Sequence, residues 1–541
     1  MPAPVETKKG KIGERYEKEH VERKSLLDSA RRCAELTKPW VLPNEAQGPD
    51  DELPENFQSV GSRGVTNIVG KSLTALFSPH WFQHTLAAEI KHDRLVPDEV
   101  KQDIASELYL RDLVMQGVLM SAHNRSKEGD NRAPTSTFLT RKRAALDQLF
   151  VTGDVLEHLT NDYRLVVFRR DQYVTKRDSE ALVCYHTIKE RKDPMGLAED
   201  MQAKAQLSPE TMTAESAAER MADMYTHVEW NPKSQVWVIQ QELNGEVINE
   251  FEETVTPYFA STFELSPGEN YGRGLVELNK GDLRSLDELE LRRLDLLGVA
   301  AKQLWVTDYN SRVRERDLMK PSGSFIKGRV ESGRVQDVAL LGTAQISEFQ
   351  ILTQGITDKS KALGEAFLTE SDVQPRGDRV TAFQVQRIAL ELDSALGGVY
   401  TSISDEQQLP LLARVTFQME KERLIASMGE DIRIEALTGF AALTREREAT
   451  SAMTLVQVLA QLGPQAIQRI NEDVLINLLT RGLGISEPGL VKTAEQIAQE
   501  QAAAAQQQLA ASVNQKAVDT VGNMVESAAA EAPPEEIAGA A

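Results

Sequence analysis

A mainly helical chain with one α+β region is what the sequence predicts, and three observations predict it. Apolar residues recur at helical spacing over most of the 541 residues. From about residue 163 the period changes to short β-branched and aromatic runs, bounded by turns such as Asn231-Pro232 and Asn244-Gly245. Two long, strongly periodic helical stretches then flank a basic, glycine-containing excursion.

Residues 12–38 place Leu26, Leu27, Ala30, Cys33, Ala34 and Leu36 on an apolar stripe among charged helix formers, which predicts one amphipathic helix stopped before Pro39. After a Pro-, Gly- and Asp-rich loop, residues 57–77 resume helical spacing with Ile68, Leu73, Leu76 and Phe77. That stretch contains Gly64 and the run Gly70-Lys71-Ser72, the tail of a phosphate-binding loop. Such a loop needs four residues between its glycines, with a backbone free to wrap phosphates. Here five intervene, and the β-branched Val65 stands where the first glycine belongs. The helical context is wrong as well, so Gly61, Gly64 and Gly70 read as a small-residue patch for close helix packing. No nucleotide site follows.

Helices are expected at 98–126 and 135–152, then an antiparallel sheet interrupted by a polar insertion near 193–222 that suggests a surface helix. From Tyr271 the helical period returns. Leu283, Leu286, Leu289, Leu294 and Leu297 form a stripe, and Glu288 has the favourable order for a pair with Arg292. About 30 such residues make a rod of roughly 45 Å. The excursion at 311–335 holds seven Lys/Arg against three Asp/Glu. It reads either as a phosphate-contacting patch or as a docking surface for an acidic partner protein. A second rod follows, broken by Pro375 and Gly377. Thr381 to Gln384 starts another helix with a capping box, which runs to Gly397-Gly398, and a further helix continues to about Met428. Short helices are expected over 431–490, then an Ala/Gln-rich helix former and a disordered tail.

Composition excludes several classes. The net charge of −21 disfavours tight nucleic-acid binding, which draws on Lys and Arg. No apolar run approaches the ~18 residues of a membrane span. The charged N-terminus shows no secretion signal, and two distant cysteines suit a reducing compartment. His80 and His84 would share a helical face, but a packing or solvated role outweighs a metal site. No catalytic set or metal cluster is assigned, and Glu288 with Glu290 reads as a solvated face.

One segment is specific: DRVTAFQVQRIALELDSALGGVYTSISDEQQLPLL, 378–412. With SVGSRGVTNIVGKSLTALF (59–77), ENYGRGLVELNKGDLRSLDEL (269–289) and RYEKEHVERKSLLDSARRCAELTKP (15–39), it resembles the portal (head-to-tail connector) proteins of short-tailed, podovirus-type bacteriophages. The segments occur in the family's order, and the likeness covers about 15–490. The insertion at 193–222 and the Ala/Gln tail match least.

The resemblance implies the portal fold and a ring of twelve copies at one capsid vertex, assembled in the host bacterial cytoplasm. It implies a wing at 1–271, stem helices at 272–302 and 343–368, and a clip at 303–342. A tunnel loop at 369–379, kinked helices at 380–430, a helical crown at 431–490 and the tail at 491–541 complete it. Implied partners are double-stranded DNA in the channel, terminase, a tail adaptor, the major capsid and scaffold proteins, and internal core proteins. No cofactor, membrane anchor or enzymatic activity is implied. Gln374, Arg376, Asp378, Arg379, Lys359 and Lys361 would lie by the DNA. Arg312, Arg314, Arg316, Lys320, Lys327 and Arg329 would form the docking face of the clip. The alternatives are another ring or adaptor protein of the head–tail junction, or a P-loop ATPase.

Overall fold

Arg23 divides the expected 12–38 helix in two: α1 is Lys11–Glu22 and α2 is Lys24–Glu35. The two halves have different surfaces to cover. α1 sets Ile12 and Tyr16 on Val174 and Tyr225 of a sheet, whereas α2 buries Ala30, Cys33 and Ala34 in the main core. The Arg23 guanidinium lies 5.2 Å from the Tyr271 ring centroid at the break. The start of α1 is held by Glu242, whose carboxylate accepts from the backbone N–H groups of Gly10, Ile12 and Gly13 at 2.9 to 3.1 Å. That is a charged acceptor at the positive end of a helix.

The computed structural model describes residues 8–45, 47, 51–77, 84–86, 98–122, 136–207, 220–300, parts of 304–341, 346–369, 382–396, 399–425, 434–436, 452–457 and 475. Two units divide the chain, Met1–Thr444 and Arg445–Ala541. In the second, 452–457 is helical.

In the first unit, α3 (Val60–Leu76) is followed by β1 (His84–Leu86), α4 (Asp98–Ala122) and α5 (Phe138–Thr152). His84 therefore stands in a strand, not in a helix with His80. β1 pairs with β14 (Ile434–Ala436), so one strand stands where short helices were expected. A three-residue bridge so distant in sequence leaves no periodic signal. α5 starts at Thr137, whose hydroxyl accepts from Thr140 N, and ends at Gly153 with φ +90°.

Gly153 turns the chain directly into β2 (Asp154–Leu159), so the sheet region begins before residue 163. β2 is buried on both faces, which hides its alternation. The strands form two sheets. One has the order β3-β2-β9, with β3 Leu165–Phe168 and β9 Tyr258–Thr262. The other runs from β4 (Tyr173–Arg177) through β5 (Val183–Lys192), β6 (Ala222–Asn231) and β7 (Val236–Leu243) to β8 (Glu246–Glu253). The surface helix in the insertion is α6, Glu199–Ala205. Asn244 and Gly245, at φ +53° and +86°, make the β7–β8 turn. Leu156, Phe168 and Tyr258 of the smaller sheet pack on Tyr173, Ile188, Val228 and Ile239 of the larger. The layers are thus α1, larger sheet, smaller sheet, helices.

The helical layer closes with α7 (Leu275–Leu278), α8 (Lys280–Ala300), α10 (Ile346–Ala366), α11 (Ala382–Leu396) and α12 (Val399–Lys421). Between α8 and α10 lie β10 (Leu304–Thr307), α9 (Glu315–Leu318), β11 (Val330–Glu331), β12 (Arg334–Val335) and β13 (Val338–Leu341). The expected rod from Tyr271 is shorter: Asn279 separates α7 from α8, and the 21 residues of α8 span about 31 Å. Glu288 reaches back to Arg284 at 3.2 Å, rather than forward to Arg292.

Candidate functional site

One face of α3 is shaped around the end of α10. Gly64 leaves room for Phe367, whose Cγ lies 2.6 Å from where a glycine Cβ would stand. One turn on, the Asn67 side-chain amide donates to the carbonyls of Phe367 and Leu368 at 3.1 and 2.8 Å. Another turn on, Lys71 Nζ donates to Leu368 O at 3.1 Å and contacts both Glu391 carboxylate oxygens, at 3.1 and 3.3 Å. These carbonyls lack partners within the helix, and an ammonium suits the negative end of its dipole. Leu368 adopts φ +54°, and Thr369 N reaches Gly364 O at 2.8 Å, which closes the end.

The resemblance to a phosphate loop ends here. Lys71 is fully buried and already bound, so it has no surface on which to hold a nucleotide. Gly61 and Gly64 do make close contacts, the first against Leu36 O and Leu283. Gly70 does not: a Cβ there meets nothing within 4 Å among the described residues, which corrects its place in the packing patch.

α8 and α10 form an antiparallel hairpin. Lys359 of α10 pairs with Asp282 of α8 at 2.8 Å, Gly355 faces Leu289, and further along Leu341 of β13 pairs with Leu304 of β10. Leu283 and Leu286 are buried at its root. Farther out the predicted core stripe of α8 is exposed, with Leu294 at 48% and Leu297 at 45%, and on α10 Ile351 is exposed at 74%.

At the tip of this hairpin the excursion is open. Arg314, Arg316, Lys320, Lys327 and Arg329 are exposed, as are Tyr309 and Phe325, at 100% and 98%. Lys320 pairs with Asp317 at 2.7 Å and holds that carboxyl below its ordinary range. Arg329 lies 3.9 Å from Glu331. Lys361 is exposed on α10, while Lys359 is engaged by Asp282. Arg312, Gln374, Arg376, Asp378 and Arg379 lie outside the described residues. Among the described residues no cluster of three or more His, Cys, Asp or Glu side chains could hold a metal, and no helix is long and apolar enough to cross a membrane.

The family model for the bacteriophage head-to-tail connecting protein matches residues 9–491. The chain belongs to that family. The portal protein of Escherichia phage T7 is 26% identical over 90% of this chain and 89% of its own length. That of Enterobacteria phage T3 is 26% identical over 89% and 88%, and that of Pseudomonas phage phiKMV 24% over 92% and 94%. A solved neck of an empty GTA particle aligns with a TM-score of 0.36 and 11% identity, over 78% of this chain and 89% of that one. The chain is thus a head-to-tail connector similar along most of its length to podophage portal proteins.

Sequence reading missed Asn67 and Glu391, the partners that explain Lys71. The spacing of Gly64, Asn67 and Lys71 on one helical face was the available signal. It also missed the buried set Lys142, Glu157 and Gln407, contributed by α5, β2 and α12. Such residues look like surface positions until the fold encloses them.

Proposed function

We propose that this connector is the portal protein of its phage, a ring of twelve copies at one capsid vertex through which double-stranded DNA is packaged and ejected. The family match over 9–491, with portal proteins aligned along about nine-tenths of their lengths, carries the reading. The α8–α10 hairpin serves as the stem. Its uncovered apolar residues pack on the neighbouring copy, through a head-to-tail interface that rotation closes into a ring. The basic excursion serves as the clip, with Arg312, Arg314, Arg316, Lys320, Lys327 and Arg329 facing terminase during packaging and the tail adaptor afterwards. The wing and crown face the capsid shell, scaffold and internal core proteins. Residues 369–379 meet the DNA, with Arg376 and Arg379 as exchangeable phosphate contacts tempered by Asp378.

The charge fits a conduit better than a clamp. Twelve copies at −21 each carry roughly −252, so a sliding duplex finds little nonspecific grip. ATP hydrolysis is left to the terminase. End-on electron microscopy and native mass of the purified protein test the ring: a closed twelvefold particle with a central channel is expected, and a stable monomer overturns the reading. Reversing Arg312, Arg314 and Arg316 to Glu tests the clip. The ring should persist while motor or tail attachment fails.

A further inference from the structure

Lys71 is fully buried, yet its ammonium touches two helices that are separate in sequence. It reaches the end of α10 through Leu368 O and the body of α11 through the Glu391 carboxylate. Those helices flank residues 370–381. Asn67 holds the same end of α10 without touching Glu391, so the contact peculiar to Lys71 is the link from α10 across to α11. A buried amine needing only neutralisation would be satisfied by the carboxylate alone. The added carbonyl makes it a three-way junction of α3, α10 and α11.

We propose that Lys71 is a positioning residue that fixes the end of α10 and the body of α11 on α3, so that the two helices flanking 370–381 are held at set points. Its importance for DNA rests on the reading of 369–379 as the segment that meets the duplex. Methionine at this site keeps an unbranched apolar chain and removes the junction. Asn67 would still hold α10, so the loosening should centre on α11.

The test is amide hydrogen exchange on the full-length assembled protein, together with the DNA length retained by heads complemented with each variant. In Lys71→Met, exchange across 382–396 should accelerate on the order of tenfold, as expected for losing a charged hydrogen bond. Residues 363–369 should respond less, and the five-stranded sheet not at all. Lys71→Arg should restore most of the protection. If Lys71→Met fails to assemble, Glu391→Gln replaces it, since that side chain is partly exposed and its loss is milder. Unchanged exchange over 382–396, or equal acceleration throughout the sheet, overturns the junction. Local acceleration with full-length DNA retained upholds the junction but overturns the placement of 369–379 at the DNA.

Discussion

Lys142 and Glu157 are fully enclosed, 2.8 Å apart, and Gln407 Oε1 lies 2.9 Å from the ammonium. Burial pushes the lysine pKa down and the glutamate pKa up, and each charge offsets the shift of the other. Removing one partner strands the other. Lys142→Met alone should therefore cost about 3–5 kcal/mol, whereas Lys142→Met with Glu157→Met should recover most of it. Thermal melting of both variants checks this; a double variant no more stable than the single contradicts it. Two histidines add a pH dependence. Burial, the main cause, lowers the His158 and His186 pKa to about 3. Both rings are neutral in the fold and take up a proton on unfolding, near the ordinary pKa of about 6.5. Their contribution is whole above that pH and is lost as pH falls from there toward 3, at about 1.4 kcal/mol per unit for each ring. Asp154, Glu157 and Glu406, whose carboxyls burial raises, act oppositely. Comparison with His158→Gln/His186→Gln isolates the rings: the variant's melting temperature should fall less between pH 6.5 and 5. A wild-type-to-variant difference constant across that window refutes the claim.

At the scale of elements, α3 offers a paired contrast. Gly64→Ala forces a methyl into the Phe367 ring and the Phe367 Cβ, the latter 2.9 Å away, and should destabilise by about 1–3 kcal/mol. Gly70→Ala meets nothing within 4 Å among the described residues and, within a helix, should stabilise by up to about 1 kcal/mol. Equal shifts in melting temperature for the two would show that α3 does not pack as described. The same helix shows what was legible. Its apolar period predicted a helix over 57–77, and α3 is Val60–Leu76. Which of its glycines face a neighbour was not legible, because that depends on a partner some 300 residues away. The same holds for Arg23: the periodicity of 12–38 runs through the break, and only the different surfaces beneath α1 and α2 explain it.

For the whole molecule, the outer half of the α8–α10 hairpin is the most consequential surface. Leu294 and Leu297 continue the stripe that is buried nearer the root at Leu283 and Leu286, and Ile351 of α10 is exposed as well. In the proposed ring such a stripe is covered by the neighbouring copy. Leu294→Glu with Leu297→Glu should leave the chain folded, since neither residue is buried in it, yet shift it from ring to monomer or small oligomers. Circular dichroism with native mass checks both halves of that expectation. A double variant that still forms complete rings would place the interface elsewhere.

Local information determined much of this protein. Helical and strand periods, the Asn-Gly turn and the basic excursion between two rods are properties of neighbouring residues, and four segments of 19 to 35 contiguous letters were enough to suggest the family. The tertiary structure decided what distant residues do to one another. It split one predicted helix at Arg23, set β2 in a second sheet and paired β1 with β14. It also changed the meaning of Lys71. In sequence it ends a phosphate-loop look-alike; in the fold it is a buried cation between Leu368 O and Glu391, partners 297 and 320 residues away. A lysine's charge and length are local facts, but its burial and its partners exist only once the chain has closed around it.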